Sequence, residues 1–284
     1  MIDRRPPMTR NALLVAALGG ALLMGCSPVQ DLFSKASASP PPSMAAPYAV
    51  SPGTASWSKP PAGYLKTGMN LDGALIVGPP PTPDSPRGQA DRATFEATRA
   101  LAGTPAWDKA IADADLSGTH GFKSFSCAAG VTISPQATPT LTRLLLRMTD
   151  DAATLYQPAK AAFQRKRPAA GNTKPICVPR EPWIETDGSY PSGHGLIGWS
   201  WALVISEVAP EHASAVLARG REFGDSRIIC GVHYQSDIEA GRYLGSAMVS
   251  RLHQDRAFTA DLEKARAEVA ASRATGAPVG CPAG

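Results

Sequence analysis

An all-α fold is predicted by three features of this sequence. Apolar residues recur at helical spacing: after Thr138-Pro139 come Leu141, Leu144, Leu145 and Met148, an i, i+3, i+4, i+7 stripe. Residues 196–208 are apolar nearly all round, Trp199 and Trp201 included, as suits a helix buried at the centre of a bundle. Alternating strand patterns are scarce and no internal repeat is found, so a helical bundle is the architecture expected.

Composition bounds the function. The chain has 284 residues, 43% of them hydrophobic, enough for a sizeable core. Only 18% are charged, with 28 Lys and Arg against 24 Asp and Glu, which lacks the basic footprint of a nucleic-acid-binding protein and suits small anionic substrates.

The elements follow in chain order. Arg4, Arg5 and Arg10 precede an apolar run that ends in Leu23-Met24-Gly25-Cys26, so residues 1–26 read as an export signal. The closing tetrad resembles a bacterial lipobox, which makes Cys26 the candidate lipidation site; ordinary cleavage nearby is the alternative. The apolar run is shorter than the ~20 residues a membrane span needs. Residues 27–64 are rich in Pro, Ser and Ala and read as a tether, and residues 65–284 as the folded domain. Helical patterns are read at residues 89–101, after Thr104-Pro105 and Thr138-Pro139, and over 196–208, 211–223, 234–252 and 257–273. In the two Thr-Pro pairs a capping hydroxyl precedes a proline suited to the first helical position.

Four cysteines follow Cys26, an even number that suggests two disulfides in an exported chain. Cys177 and Cys230 both lie close to the motifs below and are the favoured pair, leaving Cys127 with Cys281. No C-x-x-C or close Cys/His cluster suggests a zinc site.

Three motifs carry the chemistry. Lys160 and Arg167-Pro168 are seven residues apart, about two helical turns, which would place both cations on one helix face ahead of a helix end. The run Gly188-Ser189-Tyr190-Pro191-Ser192-Gly193-His194 directly precedes the apolar 196–208 helix. Free N–H groups at a helix start bind anions, Gly193 permits close approach and the Ser192 hydroxyl is a further donor. In Ser226-Arg227…His233…Asp237, a helix starting near His233 would put Asp237 at i+4, where its carboxylate fixes one imidazole nitrogen and leaves the other as a nucleophile.

Singly, each motif has a bland explanation as surface charge, a turn or helix stabilisation. Together they form the set that phosphoryl transfer to histidine requires. Lys160, Arg167, Ser192, Gly193 and Arg227 are expected to bind phosphate. His233 is expected to attack phosphorus, Asp237 to orient it, and His194 to protonate the leaving alcohol and later activate water.

The series K-x6-RP, PSGH and SR-x5-H-x3-D resembles the signature of the type 2 phosphatidic acid phosphatase (PAP2) superfamily, which includes the vanadium haloperoxidases. Within it, GSYPSGH and SRIICGVHYQSD resemble the bacterial class A non-specific acid phosphatases. The resemblance covers roughly residues 68–273. It implies a helical bundle of that type, a phosphohistidine intermediate, no cofactor or required metal, small phosphomonoester substrates, and oligomers of identical subunits. Periplasmic location is expected, with membrane attachment only through the N-terminal lipid. Gly195 departs from the family pattern, in which Thr is frequent. A membrane-embedded lipid phosphatase is disfavoured because no long apolar run follows the signal. A vanadate-dependent haloperoxidase is the alternative from another enzyme class.

Overall fold

The computed structural model describes residues 61–65, 71–116, 120–273, 276 and 278–281. The stretch read as an export signal, with Cys26, and the stretch read as a tether, as far as residue 60, lie outside the described residues. Ten α-helices are described: α1 (Gly73–Val77), α2 (Pro86–Thr98), α3 (Pro105–Ala112), α4 (His120–Ala129), α5 (Pro139–Phe163), α6 (Trp183–Thr186), α7 (Gly193–Val208), α8 (Ala213–Cys230), α9 (Gln235–Leu252) and α10 (Arg256–Arg273). No strand occurs among the described residues. The fold is all-α, as the sequence predicts.

The apolar stretch read as a central helix is α7. It packs chiefly on α8 and α9, with α4, α5 and α10 also against it. Leu196, Ile197, Trp201, Val204, Ile205 and Val208 are buried, so α7 has little solvent-facing surface. Trp201 sits among the rings of Phe122, Phe125 and Phe223. Its indole N–H, which would be costly to bury unbonded, donates to the Leu145 carbonyl of α5 at 3.1 Å. Truncating such a side chain costs about 3–5 kcal/mol.

The amphipathic stripe after Pro139 faces this core: Leu141, Leu144, Leu145 and Met148 are all buried. Its cap is not the one the sequence suggested. The Thr138 hydroxyl accepts from Ser134 N and donates to Thr132 O, serving the preceding loop. The free N–H groups of Thr140 and Leu141 instead donate to the Glu268 carboxylate of α10, at 3.0 and 2.9 Å. Likewise Thr104 caps α3 by position only, its hydroxyl donating back to Leu101 O.

One helix boundary differs from expectation, and the residues just before position 65 are packed. Tyr64 is buried; its backbone N–H and that of Leu65 donate to the Asp151 carboxylate at 2.9 and 2.8 Å, and its hydroxyl donates to Asp261. The helix read over 211–223 runs on to Cys230 as α8. Gly220 and Gly224 weaken its sequence signal, but both lie against neighbouring helices; a Cβ on Gly220 would stand 2.3 Å from that of Ala202. The short helices α1, α4 and α6 had no clear sequence signal.

Both expected disulfides are formed, Cys177–Cys230 and Cys127–Cys281. The first belongs to a small second core with Trp107, Ala110, Ala169, Ile184 and Val232. Cys177 N also donates to Cys230 O at 3.0 Å, which fastens the segment after Arg167 to the end of α8.

Candidate active site

The predicted residues converge where the N-termini of α7 and α9 meet the C-terminal ends of α5 and α8. Ser192 is the N-cap of α7, its side-chain oxygen accepting from Gly195 N at 3.2 Å. Gly193 and His194 form the first helical turn, so their backbone N–H groups belong to the unsatisfied set at a helix start. The Tyr190-Pro191 peptide of the same motif is cis. Gly193 lies over the Tyr156 ring of α5, which a Cβ would approach to 3.1 Å.

Lys160 and Arg167 do meet, but not on one helix face. α5 ends at Phe163, and Gln164 takes a left-handed conformation as its C-cap, so Arg167 lies in the loop beyond. Asp187 is what brings the two cations together. Its Oδ2 accepts from Lys160 Nζ at 2.9 Å and from Arg167 Nη2 at 2.6 Å. Burial, then Arg167, push the Lys160 ammonium down to about 8, with Asp187 opposing. Burial alone would raise the Asp187 carboxyl; Lys160 and Arg167 outweigh it and hold the group low. One carboxylate between two cations leaves a net positive charge.

His233 is also outside the helix that was expected to hold it. α8 ends in Gly231 at φ 84°, a left-handed C-cap that suits glycine, and α9 begins only at Gln235. His233 occupies the intervening turn. Asp237 reaches back over the start of α9: its Oδ2 accepts from Tyr234 N at 2.8 Å and lies 3.3 Å from His233 Nδ1. On the other side of the ring, Arg167 Nη1 is 3.2 Å from Nε2. A guanidinium can only donate, so Nε2 is the accepting nitrogen and the proton sits on Nδ1, facing Asp237. Burial, followed by Arg167, Lys160 and Arg227, pushes the His233 imidazolium well below its ordinary range, so the ring is neutral near pH 7.

Arg227 extends from the last turn of α8 and is buried. Its Nε and Nη1 have no hydrogen-bond acceptor among the described residues. A buried, unpaired guanidinium is costly, and an anion is the partner whose chemistry satisfies it. Burial, followed by Arg227 and then His233 and Lys160, pushes the His194 imidazolium well below its ordinary range. Its Nε2 is 3.1 Å from the Ala114 carbonyl, which only accepts, so Nε2 carries the proton and Nδ1 the lone pair of the neutral ring.

Three participants were absent from the sequence reading. Asp187 directly precedes the GSYPSGH run, and Arg165 lies within the Lys160 to Arg167 interval, but neither fits a spacing rule. Arg165 Nη1 donates to Asp237 Oδ1 at 2.6 Å and to Ser236 Oγ at 2.7 Å, and its Nη2 to Asp91 Oδ2 at 2.8 Å. Asp91 is a buried acid in the otherwise polar α2, and only its burial singles it out. Among the bystander histidines, His253 pairs with Glu207 and His120 lies beside Asp115.

Comparison with known proteins fits this geometry. Residues 141–259 match the model of the PAP2 superfamily, a span that begins in α5 and ends in α10. An acid phosphatase of Zymomonas mobilis is 40% identical over 206 residues, covering 72% of this chain and 78% of the relative. Non-specific acid phosphatases of Providencia stuartii and Salmonella typhimurium are 38% and 40% identical, covering 78% and 70% of this chain and 90% and 81% of theirs. The chain belongs to the PAP2 superfamily. Within that class it is an acid phosphatase, a hydrolase of phosphoric monoesters.

Proposed function

We propose that this acid phosphatase is an exported enzyme that hydrolyses small phosphomonoesters through a phosphohistidine on His233, without a metal ion. One observation carries most weight: Asp237 and Arg167 together fix the His233 tautomer that presents a lone pair on Nε2. Arg167 releases Nε2 as its guanidinium turns to the incoming phosphoryl oxygens. Nε2 then forms the N–P bond while the P–O ester bond breaks, and the departing alcohol takes the proton that His194, neutral in the free enzyme, takes up on Nδ1 together with the anionic substrate. Asp237 offsets the positive charge that develops on the ring. Water, activated by the now neutral His194, attacks phosphorus, breaks the N–P bond and regenerates His233. An alcohol in place of water gives phosphotransfer by the same step.

Lys160, Arg167 and Arg227, with the Gly193 N–H and the Ser192 hydroxyl, supply the charge and directed donors that stabilise the phosphoryl group. Chelators are therefore expected to leave activity intact. Two disulfides suit an oxidising compartment such as the periplasm. The signal-like residues 1–26 support export, with Cys26 as the attachment point if lipidated. Identical subunits are expected to associate, and no nucleic-acid partner is expected.

The test is hydrolysis of p-nitrophenyl phosphate from acid to neutral pH, with excess EDTA and with His233→Ala in parallel. Chelator-resistant activity that disappears in the variant supports the reading. EDTA-sensitive activity would remove its metal-independent part, and turnover by the variant its nucleophile.

A further inference from the structure

We propose that Arg165 and Asp91 are positioning residues that hold the Asp237 carboxylate in place and leave the cluster one net negative charge facing His233. The proposal rests on His233 being the nucleophile. Asp237 is completely buried, and a carboxylate in that setting is expensive unless paired. Arg165 pairs with it at 2.6 Å. By itself that contact would neutralise Asp237 and leave little charge to offset a cationic imidazole. Asp91 corrects the balance by taking the other arm of the same guanidinium at 2.8 Å. Two carboxylates and one guanidinium leave a single negative charge, matching the one positive charge His233 gains when Nε2 bonds phosphorus and Nδ1 keeps its proton.

The placement is over-determined. Asp91 Oδ1 accepts from Ser236 N at 3.0 Å and its Oδ2 from the Ser236 hydroxyl, which also receives Arg165 Nη1 at 2.7 Å. The Arg165 guanidinium stacks 4.3 Å from the Tyr234 ring. Asp91 thus connects α2 to the first turn of α9, directly behind the Asp237 carboxylate. Burial works against the Arg165 charge, and Asp237 and Asp91 outweigh it. Burial likewise raises the Asp237 carboxyl, and Arg165 is the first opposing influence.

The charged groups facing His233 are Lys160 from α5, Arg167 and Asp187 from the loops, His194 from α7, Arg227 from α8 and Asp237 from α9. Removing the Asp91 charge shifts this balance toward the cations. Asp91→Asn is therefore expected to lower kcat about 10–100-fold, the range seen when a group that orients a metal-bound histidine is removed. Inhibition by inorganic phosphate should be unchanged or tighter. The acid limb of kcat/KM, set by protonation of His233, should move to lower pH.

The measurements are kcat, phosphate inhibition and the pH profile of kcat/KM for the wild type and Asp91→Asn, with His233→Ala as a reference. A lower melting temperature with kcat and the acid limb unmoved would overturn the proposal, and an inactive His233→Ala in the same series would leave the phosphohistidine reading standing. If Asp91→Asn does not fold, Asp91→Asn/Arg165→Gln is measured, in which both charges leave together. Its acid limb should stay at the wild-type position while kcat falls at least 10-fold; wild-type kcat in that folded variant would also overturn the proposal.

Discussion

The backbone N–H of Ser192 donates to the backbone carbonyl of Asp237 at 2.9 Å. This bond ties the N-cap of α7 to the first turn of α9, so the anion-binding turn and the His233–Asp237 pair keep a fixed relation. The helices approach so closely because Gly241 has no Cβ; one there would stand 2.4 Å from Ser192 O and 2.9 Å from Leu196 N.

Gly241→Ala is expected to destabilise the protein by about 1–3 kcal/mol, because both nearest atoms are backbone and cannot swing aside. It should also lower kcat by displacing Ser192 from Asp237. Thermal unfolding and steady-state kinetics on one preparation test this. Wild-type values in both would show that the helices separate freely here.

Phosphate binding should weaken as pH rises through about 8, where Lys160 loses its proton. The sign follows from charge: deprotonation removes a cation from an anion site. Inhibition constants for inorganic phosphate between pH 6 and 9 are compared for the wild type and Lys160→Gln, so that titration of phosphate itself cancels. The variant should bind more weakly at pH 6 and lack the wild type's extra loss near 8. Parallel curves would assign that limb to another group.

His194→Ala should slow esters of poorly acidic alcohols far more than p-nitrophenyl phosphate, because a good leaving group departs without a proton. A uniform loss across a series of phenyl and alkyl phosphates would contradict the general-acid role.

The two disulfides are expected to separate stability from activity. On a loop-closure basis the Cys177–Cys230 loop, with a separation of 53 residues, is worth about 4 kcal/mol, and the Cys127–Cys281 loop, with a separation of 154, about 5 kcal/mol. Replacing either pair by Ser should lower the melting temperature. Only loss of Cys177–Cys230 should also reduce kcat, since Cys230 lies between Arg227 and His233. An active Cys177→Ser/Cys230→Ser variant beside an inactive Cys127→Ser/Cys281→Ser variant would reverse this assignment.

Much of the site was legible in the sequence because helix termini advertise themselves. Ser192-Gly193 before an apolar run reads as a capped helix start, and the structure places it so. The routes by which Lys160 meets Arg167 and His233 meets Asp237 were misread, since each was assigned to a continuous helix. Gln164, in a left-handed conformation, ends α5 before Arg167, and α9 begins only at Gln235, after His233; Asp187 joins Lys160 to Arg167, and Asp237 reaches back from the first turn of α9 to His233. Asp91, Arg165 and Asp187 escaped notice because their meaning lies in partners far along the chain, 74 residues apart for Arg165 and Asp91. The same holds for Glu268, which caps α5 from 128 residues away.

The most direct measurement is rapid quenching of the wild-type enzyme during turnover of a phosphomonoester, with the phosphorylated residue located by mass spectrometry under alkaline conditions that preserve phosphohistidine. The account expects an acid-labile phosphoryl group on His233, formed as fast as the alcohol is released and absent from His233→Ala. Phosphate on another residue, or release of alcohol and phosphate by His233→Ala at wild-type rates, would contradict it.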